Sequence, residues 1–265
     1  MLTDDQRHEV AERLARAEAD REPVTPLVDG FPDLDVVDAY EIQLLNIRRR
    51  VNAGAEVLGH KVGLSSLAMQ QMMGVDEPDY GHLLSDMEVF SDQPVDASRY
   101  CYPRVEVEVG FVLGAALPGE GCTEEDVLDA TEAVAPAIEL IDSRIRDWRI
   151  GLVDTIADNA SSAGFVLGAE RVKPRDIDLL GIDATLTRNG ELVAEGRSDA
   201  VLGNPVTAVA WLARKVASFG VRLEAGHVVL PGSCTRAIDV RPGDAFVADF
   251  NGLGTVTLSF DGGQA

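Results

Sequence analysis

Two amphipathic segments dominate the first sixty residues of the chain. Residues 3–20 (TDDQRHEVAERLARAEAD) carry apolar side chains at helical spacing behind Thr3, a candidate N-cap. Residues 35–52 repeat the helical pattern with a broader apolar side, and Gly54 is placed to end that helix. The pattern therefore predicts a helical region over residues 1–60.

From Lys61 onward the pattern changes to short β-branched runs separated by glycine, proline and asparagine. Residues 183–196 (DATLTRNGELVAEG) and 244–260 (DAFVADFNGLGTVTLSF) each have apolar runs on both sides of an Asn-Gly pair. An Asn-Gly pair between such runs is a strong signal for a tight hairpin turn. Both segments are therefore predicted to be β-hairpins.

Helical spacing returns in two further segments. Residues 123–135 begin with the capping sequence TEED, and residues 204–220 begin near Asn204-Pro205 and end at Gly220. Strands and helices alternate without a regular βαβ rhythm, which favours an α+β fold over a doubly wound sheet. No repeat, low-complexity segment or linker divides the chain. We expect one domain over residues 1–265, with a β-rich core over residues 61–265.

Two glutamates interrupt a run of valines in PRVEVEVGFVLG, residues 103–114. In a strand, Glu106 and Glu108 share one face, because successive side chains point to opposite faces. Adjacent buried carboxylates repel each other and need a positive partner. One interpretation is a solvated strand face offset by Arg104 or a neighbouring arginine; the other is a divalent cation bound by both glutamates.

A third carboxylate stands in an apolar setting in AVAPAIELIDSRI, residues 133–145. Glu139 lies between Ile138 and Leu140, where a solvent-facing charge is hard to explain if the segment is a core strand. Three carboxylates without histidine or cysteine suit Mg²⁺ or Mn²⁺ and fit zinc poorly. The residues alone leave both interpretations open: a metal-binding core over residues 61–265 that uses all three carboxylates, or a solvated strand face.

Composition narrows the range of partners. The chain has 265 residues with 46% hydrophobic content, enough for a sizeable core, and a formal charge of −22. That charge argues against nucleic acid and anionic membranes as partners. The N-terminus shows no apolar signal sequence, and the three cysteines form no CxxC pair, so a cytoplasmic location is expected. The acidity itself fits either adaptation to salt or an ordinary acidic surface.

Lysine is rare in this chain, with only Lys61, Lys173 and Lys215 against twenty arginines. Lysine can shift its pKa and exchange a proton near neutrality, which arginine cannot. Lys61 stands out because GHKVG places it between glycines in an apolar segment. The histidines carry less of the argument: for His82, a hydrogen-bonded structural role in a loop is favoured over a role in a pocket.

Five segments together carry a resemblance to a known family. They are GHKVGLSSLAMQQMMGVDEPDYGHLLSDM (59–87), PRVEVEVGFVLG (103–114), APAIELIDSRIRDW (135–148), TIADNASSAGFVLG (155–168) and LPGSCTRAIDVRPGD (230–244). In this order they resemble the 2-keto-4-pentenoate hydratase and 4-oxalocrotonate decarboxylase family, within the fumarylacetoacetate hydrolase superfamily. The resemblance runs from the second helix to nearly the end of the chain. His60 departs from the residue expected before the lysine in many members.

The resemblance implies a mixed β-sheet roll of the fumarylacetoacetase C-terminal-like type, with an N-terminal helical region. It implies that Mg²⁺ or Mn²⁺ is held by three ligands, namely Glu106, Glu108 and Glu139. It also implies catalytic roles for Lys61 and Asp79, and contact of Ser161 and Lys61 with the substrate carboxylate. Homo-oligomers, and association with other enzymes of the same pathway, are implied as well.

The reaction that the resemblance favours is the metal-dependent addition of water to 2-hydroxypenta-2,4-dienoate, giving 4-hydroxy-2-oxopentanoate in aromatic or sterol ring catabolism. Three carboxylates around a dication leave a charge of about −1, so an anionic substrate needs a positive group nearby, which Lys61 can supply. The first alternative is the 4-oxalocrotonate decarboxylase reaction, which needs the same ligands. An acylpyruvate hydrolase and a non-catalytic partner subunit are further alternatives.

Overall fold

The computed structural model describes residues 1–262, without the side chains of residues 72 and 73. The helices within this range are α1 Asp4–Asp20, α2 Leu27–Gly30, α3 Val36–Asn52, α4 Leu67–Met73, α5 Glu124–Ala130, α6 Leu152–Ala157 and α7 Pro205–Ala217. The strands are β1 Val57–Gly63, β2 Asp79–Leu84, β3 Arg104–Leu113, β4 Thr131–Ile141, β5 Ser162–Leu167, β6 Asp183–Arg188, β7 Glu191–Arg197, β8 Val228–Leu230, β9 Ile238–Asp239, β10 Ala245–Phe250 and β11 Gly254–Ser259. In the described part of the chain, no helix has both the length and the apolar character needed to cross a membrane.

Both predicted N-terminal helices are confirmed. Thr3 caps α1 in a capping box with Gln6, which satisfies backbone N–H groups that the first helical turn leaves free. Asp35 caps α3 in the same way with Asp38. Asp38 is fully buried and pairs with Arg7 at 2.7 Å, so one ion pair joins the two helices at their N-terminal ends.

The strands form two sheets. The larger has the order β2-β1-β8-β3-β4-β5, with β9 beside β3, and the smaller has the order β11-β10-β6-β7. The larger sheet is mixed, because β1 runs parallel to β8 and antiparallel to β2. Helices together with one mixed and one antiparallel sheet give the α+β architecture that the sequence predicts.

The two predicted hairpins are β6-β7 and β10-β11, and both pair antiparallel. The first turns through Asn189 and Gly190, whose φ values of 55° and 84° are left-handed. A two-residue hairpin turn of this hand matches the twist of its strands, which is why the Asn-Gly signal is reliable.

The helix predicted over residues 123–135 is too long. Thr123 caps α5 as expected, but the helix ends at Ala130 and strand β4 begins at Thr131. Residues 131–135 instead continue the antiparallel ladder with β3. Pairing with a central strand outweighs the helical tendency of the alanines, because residues 133–135 are buried in the sheet.

Candidate metal centre

The antiparallel pairing of β3 and β4 brings three glutamates together. Glu106 lies directly opposite Glu139, and Glu108 lies two residues further along the same face, opposite Ala137. One carboxylate oxygen from each glutamate lies within 4.8 Å of the others. Glu106 and Glu108 therefore share one face of β3, as the alternation in residues 103–114 predicts. Glu139 lies beside them on the neighbouring strand β4.

These carboxylates are buried with few partners. Glu108 and Glu139 are fully buried, and Glu106 is half-buried. Glu108 Oε2 accepts a 2.7 Å hydrogen bond from the Gly232 N–H. The other oxygen of Glu108 and both oxygens of Glu139 accept no hydrogen bond of normal geometry from the described residues, although Lys61 Nζ lies 3.4 Å from Glu139 Oε2. Buried carboxylate oxygens normally have partners, so these oxygens fit a ligand that binds all three side chains.

Burial and mutual repulsion act on the protonation of the three groups. Burial raises the pKa of Glu106 to about 7, with Glu139 and Asp79 adding to the rise and Lys61 opposing it. Burial, Glu139 and Glu106 together raise the pKa of Glu108 well above its usual range. The pKa of Glu139 is also raised by burial, against the pull of Lys61. A nearby dication reverses this balance by favouring the charged carboxylates.

The donor set fits a hard divalent cation. Three carboxylates supply three oxygen ligands, and no histidine or cysteine belongs to the group. Mg²⁺ and Mn²⁺ take such oxygens and complete their coordination with water or substrate oxygens. Glu106, Glu108 and Glu139 are the residues that would hold the ion.

Lys61 provides the positive charge beside the carboxylates. It lies on β1, is 3% exposed, and its Nζ lies 3.4 Å from Glu139 Oε2. The same ammonium donates a 3.0 Å hydrogen bond to the Ala160 carbonyl. Burial alone lowers the pKa of Lys61, but the neighbouring carboxylates, Glu139 first, raise it above its ordinary value. Lys61 is therefore a fixed cation.

Asp79 lies on β2 beside this lysine. Its Oδ2 accepts a 3.1 Å hydrogen bond from Thr155 Oγ1, while its Oδ1 has no partner among the described residues. A Cβ added at Gly63 would lie 2.1 Å from Asp79 Oδ1 and 3.5 Å from Lys61 Nζ. Gly63 therefore leaves the room in which the carboxylate sits. Burial raises the pKa of Asp79, and Lys61 and Thr155 offset part of that rise.

Ser161 follows the carbonyl that Lys61 binds. Asn159, Ala160 and Ser161 have consecutive left-handed φ values of 55°, 49° and 57°, a conformation that non-glycine residues rarely adopt. The Asn159 side chain holds this turn by hydrogen bonds to the N–H and C=O of His82, at 2.8 and 2.9 Å. Ser161 is buried, and its hydroxyl has no partner within the described chain.

The structure thus gathers Glu106, Glu108, Glu139 and Lys61, with Asp79 and Ser161 next to that lysine's contacts. Sequence reasoning missed the residues that fix this group, namely Thr155, the Ala160 carbonyl and the Gly232 N–H. All three lie in segments that carry the family resemblance, but the sequence pattern does not show which atoms they contact.

The loop position expected for His82 is wrong. His82 lies on strand β2, and its Nδ1 is 3.1 Å from Gln43 Oε1.

Comparison with known proteins defines the class. The model of the fumarylacetoacetate (FAA) hydrolase C-terminal family matches residues 80–260, which hold the three glutamates and Ser161. The chain belongs to this family.

Within the family, the chain is similar to two hydratases and a decarboxylase. The 2-keto-4-pentenoate hydratase of Paraburkholderia xenovorans (strain LB400) is 44% identical over 99% of this chain and 98% of the relative. The 2-oxo-hept-4-ene-1,7-dioate hydratase of Escherichia coli is 40% identical over 95% and 96%. A solved structure of the 4-oxalocrotonate decarboxylase from Pseudomonas putida G7, complexed with magnesium and adipate, superposes with a TM-score of 0.94 at 36% identity, over 98% of this chain and 99% of that one.

Proposed function

We propose that this protein is a metal-dependent hydro-lyase that adds water to 2-hydroxypenta-2,4-dienoate and forms 4-hydroxy-2-oxopentanoate, in the breakdown of aromatic or sterol rings. The observation that carries the proposal is the buried group of Glu106, Glu108 and Glu139 next to Lys61. Identity of 44% to a 2-keto-4-pentenoate hydratase over nearly the whole chain supports the same activity.

The three glutamates would hold Mg²⁺ or Mn²⁺, and the bound ion would supply Lewis-acid polarisation of the oxygen at C2 of the substrate. Each ligand carries a formal negative charge, so the pocket needs a cation from the protein before it attracts an anionic substrate. Lys61 fills this role, because it is buried, charged and 3.4 Å from Glu139. The same ammonium attracts the substrate carboxylate.

Ser161 binds the substrate carboxylate with its free hydroxyl. The hydroxyl is buried and unpartnered among the described residues, and the left-handed turn that carries it is tied to Lys61 through the Ala160 carbonyl. A donor held in place before binding loses little freedom when the substrate arrives.

Asp79 moves the proton. Its Oδ1 is free while Thr155 occupies its Oδ2, so one oxygen is fixed and the other is available to a water molecule or to the substrate. Its raised pKa lies closer to neutrality than that of an exposed aspartate, which suits a group that accepts and returns a proton. Asp79 therefore acts as the proton shuttle or as the base that positions the attacking water.

Decarboxylation of 4-oxalocrotonate is the second candidate, and the TM-score of 0.94 to the Pseudomonas putida G7 decarboxylase favours it. Both reactions use one set of carboxylate ligands and one carboxylate-binding cation. Identity of 40–44% to several hydratases over nearly the whole chain favours hydration as the first candidate.

One assay separates the candidates. The enzyme is mixed with the dienoate in Mg²⁺ or Mn²⁺, and the loss of ultraviolet absorbance is followed together with formation of the hydroxy-oxo acid. We expect turnover that a chelator abolishes and the metal restores. Release of CO₂ from 4-oxalocrotonate without hydration of the dienoate would identify a decarboxylase, and inactivity on both substrates would point to a non-catalytic partner. A homo-oligomeric state, association with pathway enzymes and a cytoplasmic location stay predictions.

A further inference from the structure

A cavity lies on the opposite face of strand β1 from the three glutamates. Its volume is about 440 Å³. Lys61 points to the carboxylates, so its neighbour His60 points to the opposite face of the sheet, where it lines this cavity. The lining residues are Leu44, Ile47, Arg48, Val51, Asn52, Val57, His60, His82, Val221, Arg222 and His227.

Three of the four histidines of the chain meet here, from distant parts of the sequence. The ring of His60 lies 4.6 Å from that of His82 and 5.9 Å from that of His227, measured between centroids. His60 is fully buried, and neither of its ring nitrogens has a partner among the described residues. A buried imidazole without partners calls for a ligand or water that accepts its N–H.

The tautomers of the other two rings follow from their contacts. Gln43 Nε2 donates to two backbone carbonyls, so its Oε1 is the acceptor for His82 Nδ1–H. His227 Nδ1 accepts from the Glu224 N–H, which leaves the hydrogen of a neutral ring on Nε2. His227 therefore offers an Nε2–H donor, while His82 presents the lone pair of its Nε2. A neutral His60 carries one N–H, on a nitrogen that no described residue pairs with.

This arrangement does not suit a metal ion. A metal ligand needs a free lone pair, and the free nitrogen of His227 carries a hydrogen. Within the described chain, the only three His, Cys, Asp or Glu ligand atoms close enough to share an ion are those of the glutamates. The histidine group is therefore a set of hydrogen-bonding groups.

The charge of the lining selects the ligand. The chain carries a formal charge of −22, yet the described lining includes two arginines, Arg48 and Arg222, and no acidic residue. Arg222 shares its charge with exposed Glu224 at 3.5 Å. The remaining wall is mostly apolar, formed by Leu44, Ile47, Val51, Val57 and Val221.

We propose that this cavity binds a small monocarboxylate with an aromatic or branched apolar body. The apolar body packs against Leu44, Ile47 and the aliphatic wall, which removes apolar surface from water. The carboxylate accepts hydrogen bonds from imidazole N–H groups and is held by Arg48 and Arg222. A ligand here is separated from the metal centre by the thickness of the sheet.

Benzoate is a direct probe, because the chain has only four histidines. The Mg²⁺-loaded protein, labelled with ¹³C at histidine, is titrated with benzoate and followed by NMR. We expect the imidazole signals of His60, His82 and His227 to move with one saturation curve, while the signal of His8, an exposed residue of helix α1, stays in place. Benzamide lacks the charge and sulfate lacks the apolar body, so neither should reproduce the shifts.

Matched variants test the charge. Replacing Arg48 and Arg222 together by glutamine should weaken benzoate binding by about tenfold or more. Arg49→Gln changes the next residue of the same helix, outside the lining, and should leave the affinity unchanged.

Three outcomes would overturn the proposal. Unmoved histidine signals at high benzoate would mean that the cavity is closed to the ligand, for example by a second copy of the chain. Equal binding in the double arginine variant would remove the charge argument. Shifts that disappear in Glu106→Gln would place benzoate at the metal centre instead.

Discussion

Glu106 differs from its two partners in exposure, because Glu108 and Glu139 are fully buried while Glu106 is half-buried. It is also paired directly across the ladder with Glu139. Its carboxylate is therefore the part of the metal centre at which a neutral substitute fits with the least disturbance of the core.

Glu106→Gln should abolish metal-dependent turnover while the protein stays folded. The substitution keeps the shape but replaces a charged ligand by an amide oxygen. Changes just outside a metal's ligands already cost about 10–100-fold in affinity, so the loss of a ligand should cost at least as much. The measurements are Mg²⁺ titration by calorimetry and turnover of the dienoate. Glu132→Gln, at an exposed position on the neighbouring strand β4, is the control; full activity in Glu106→Gln would show that the ligands are misassigned.

Thr155 positions Asp79 through a single hydrogen bond. Thr155→Val should lower kcat by about tenfold, equivalent to roughly 1.4 kcal/mol, and Thr155→Ser should restore it. In the native protein the Thr155 hydrogen bond lowers the pKa of Asp79, so removing this bond should raise that pKa further. If Asp79 acts as a base, the acidic limb of the kcat/KM profile moves to higher pH. An unmoved limb would contradict that role.

At the scale of elements, local signals are strong where the backbone needs a particular residue. Short sequences set the caps of α1 and α3, because the cap side chains accept hydrogen bonds from nearby backbone N–H groups. A short sequence also sets the β6-β7 turn, because Asn and Gly adopt the left-handed φ that this turn needs. The end of α5 is not local: Ala130 and Thr131 separate helix from strand because β3 is available to pair with residues 131–141.

Thr3→Ala should lower the free energy of unfolding by about 1 kcal/mol, the usual value of an N-cap side chain. The Thr3 hydroxyl accepts from the Gln6 N–H, and alanine leaves that donor to water. Thr3→Ser keeps the hydroxyl and should stay near the parent. Chemical denaturation of the three proteins measures the difference, and identical midpoints would show that α1 does not depend on its cap.

At the scale of the whole molecule, the three buried glutamates should couple stability to pH. Burial raises the pKa of Glu106 from an ordinary 4.5 to about 7 and also raises those of Glu108 and Glu139. Between about pH 4.5 and pH 7, the folded chain therefore binds more protons than the unfolded chain. Stability without metal is highest at low pH in this window and falls as pH rises through 7.

Chelated protein should accordingly melt at a lower temperature at pH 8 than at pH 6. Added Mg²⁺ should raise the melting temperature more at pH 8, because the ion competes with protons for the same oxygens. Scanning calorimetry at both pH values, with and without Mg²⁺, measures the effect. Glu106→Gln should reduce the pH difference; a metal effect equal at both pH values would argue against carboxylate ligands.

The sequence by itself determined the helices of the N-terminal region, the two hairpins and the pairing of Glu106 with Glu108 on one strand face. These features depend on neighbours within a few residues, where the periods of helix and strand are fixed by backbone geometry. The five motifs within residues 59–244 also indicate the family, because a resemblance in sequence does not depend on tertiary contacts.

Only the tertiary structure decided which atoms meet. The register of β3 against β4 sets Glu139 opposite Glu106, β1 brings Lys61 to 3.4 Å from Glu139, and α6 brings Thr155 to Asp79. It also gathered His60, His82 and His227 around one cavity. Such contacts join residues far apart in the chain, and they form because packing the sheets and helices into one core leaves each strand a single register that buries its apolar side chains.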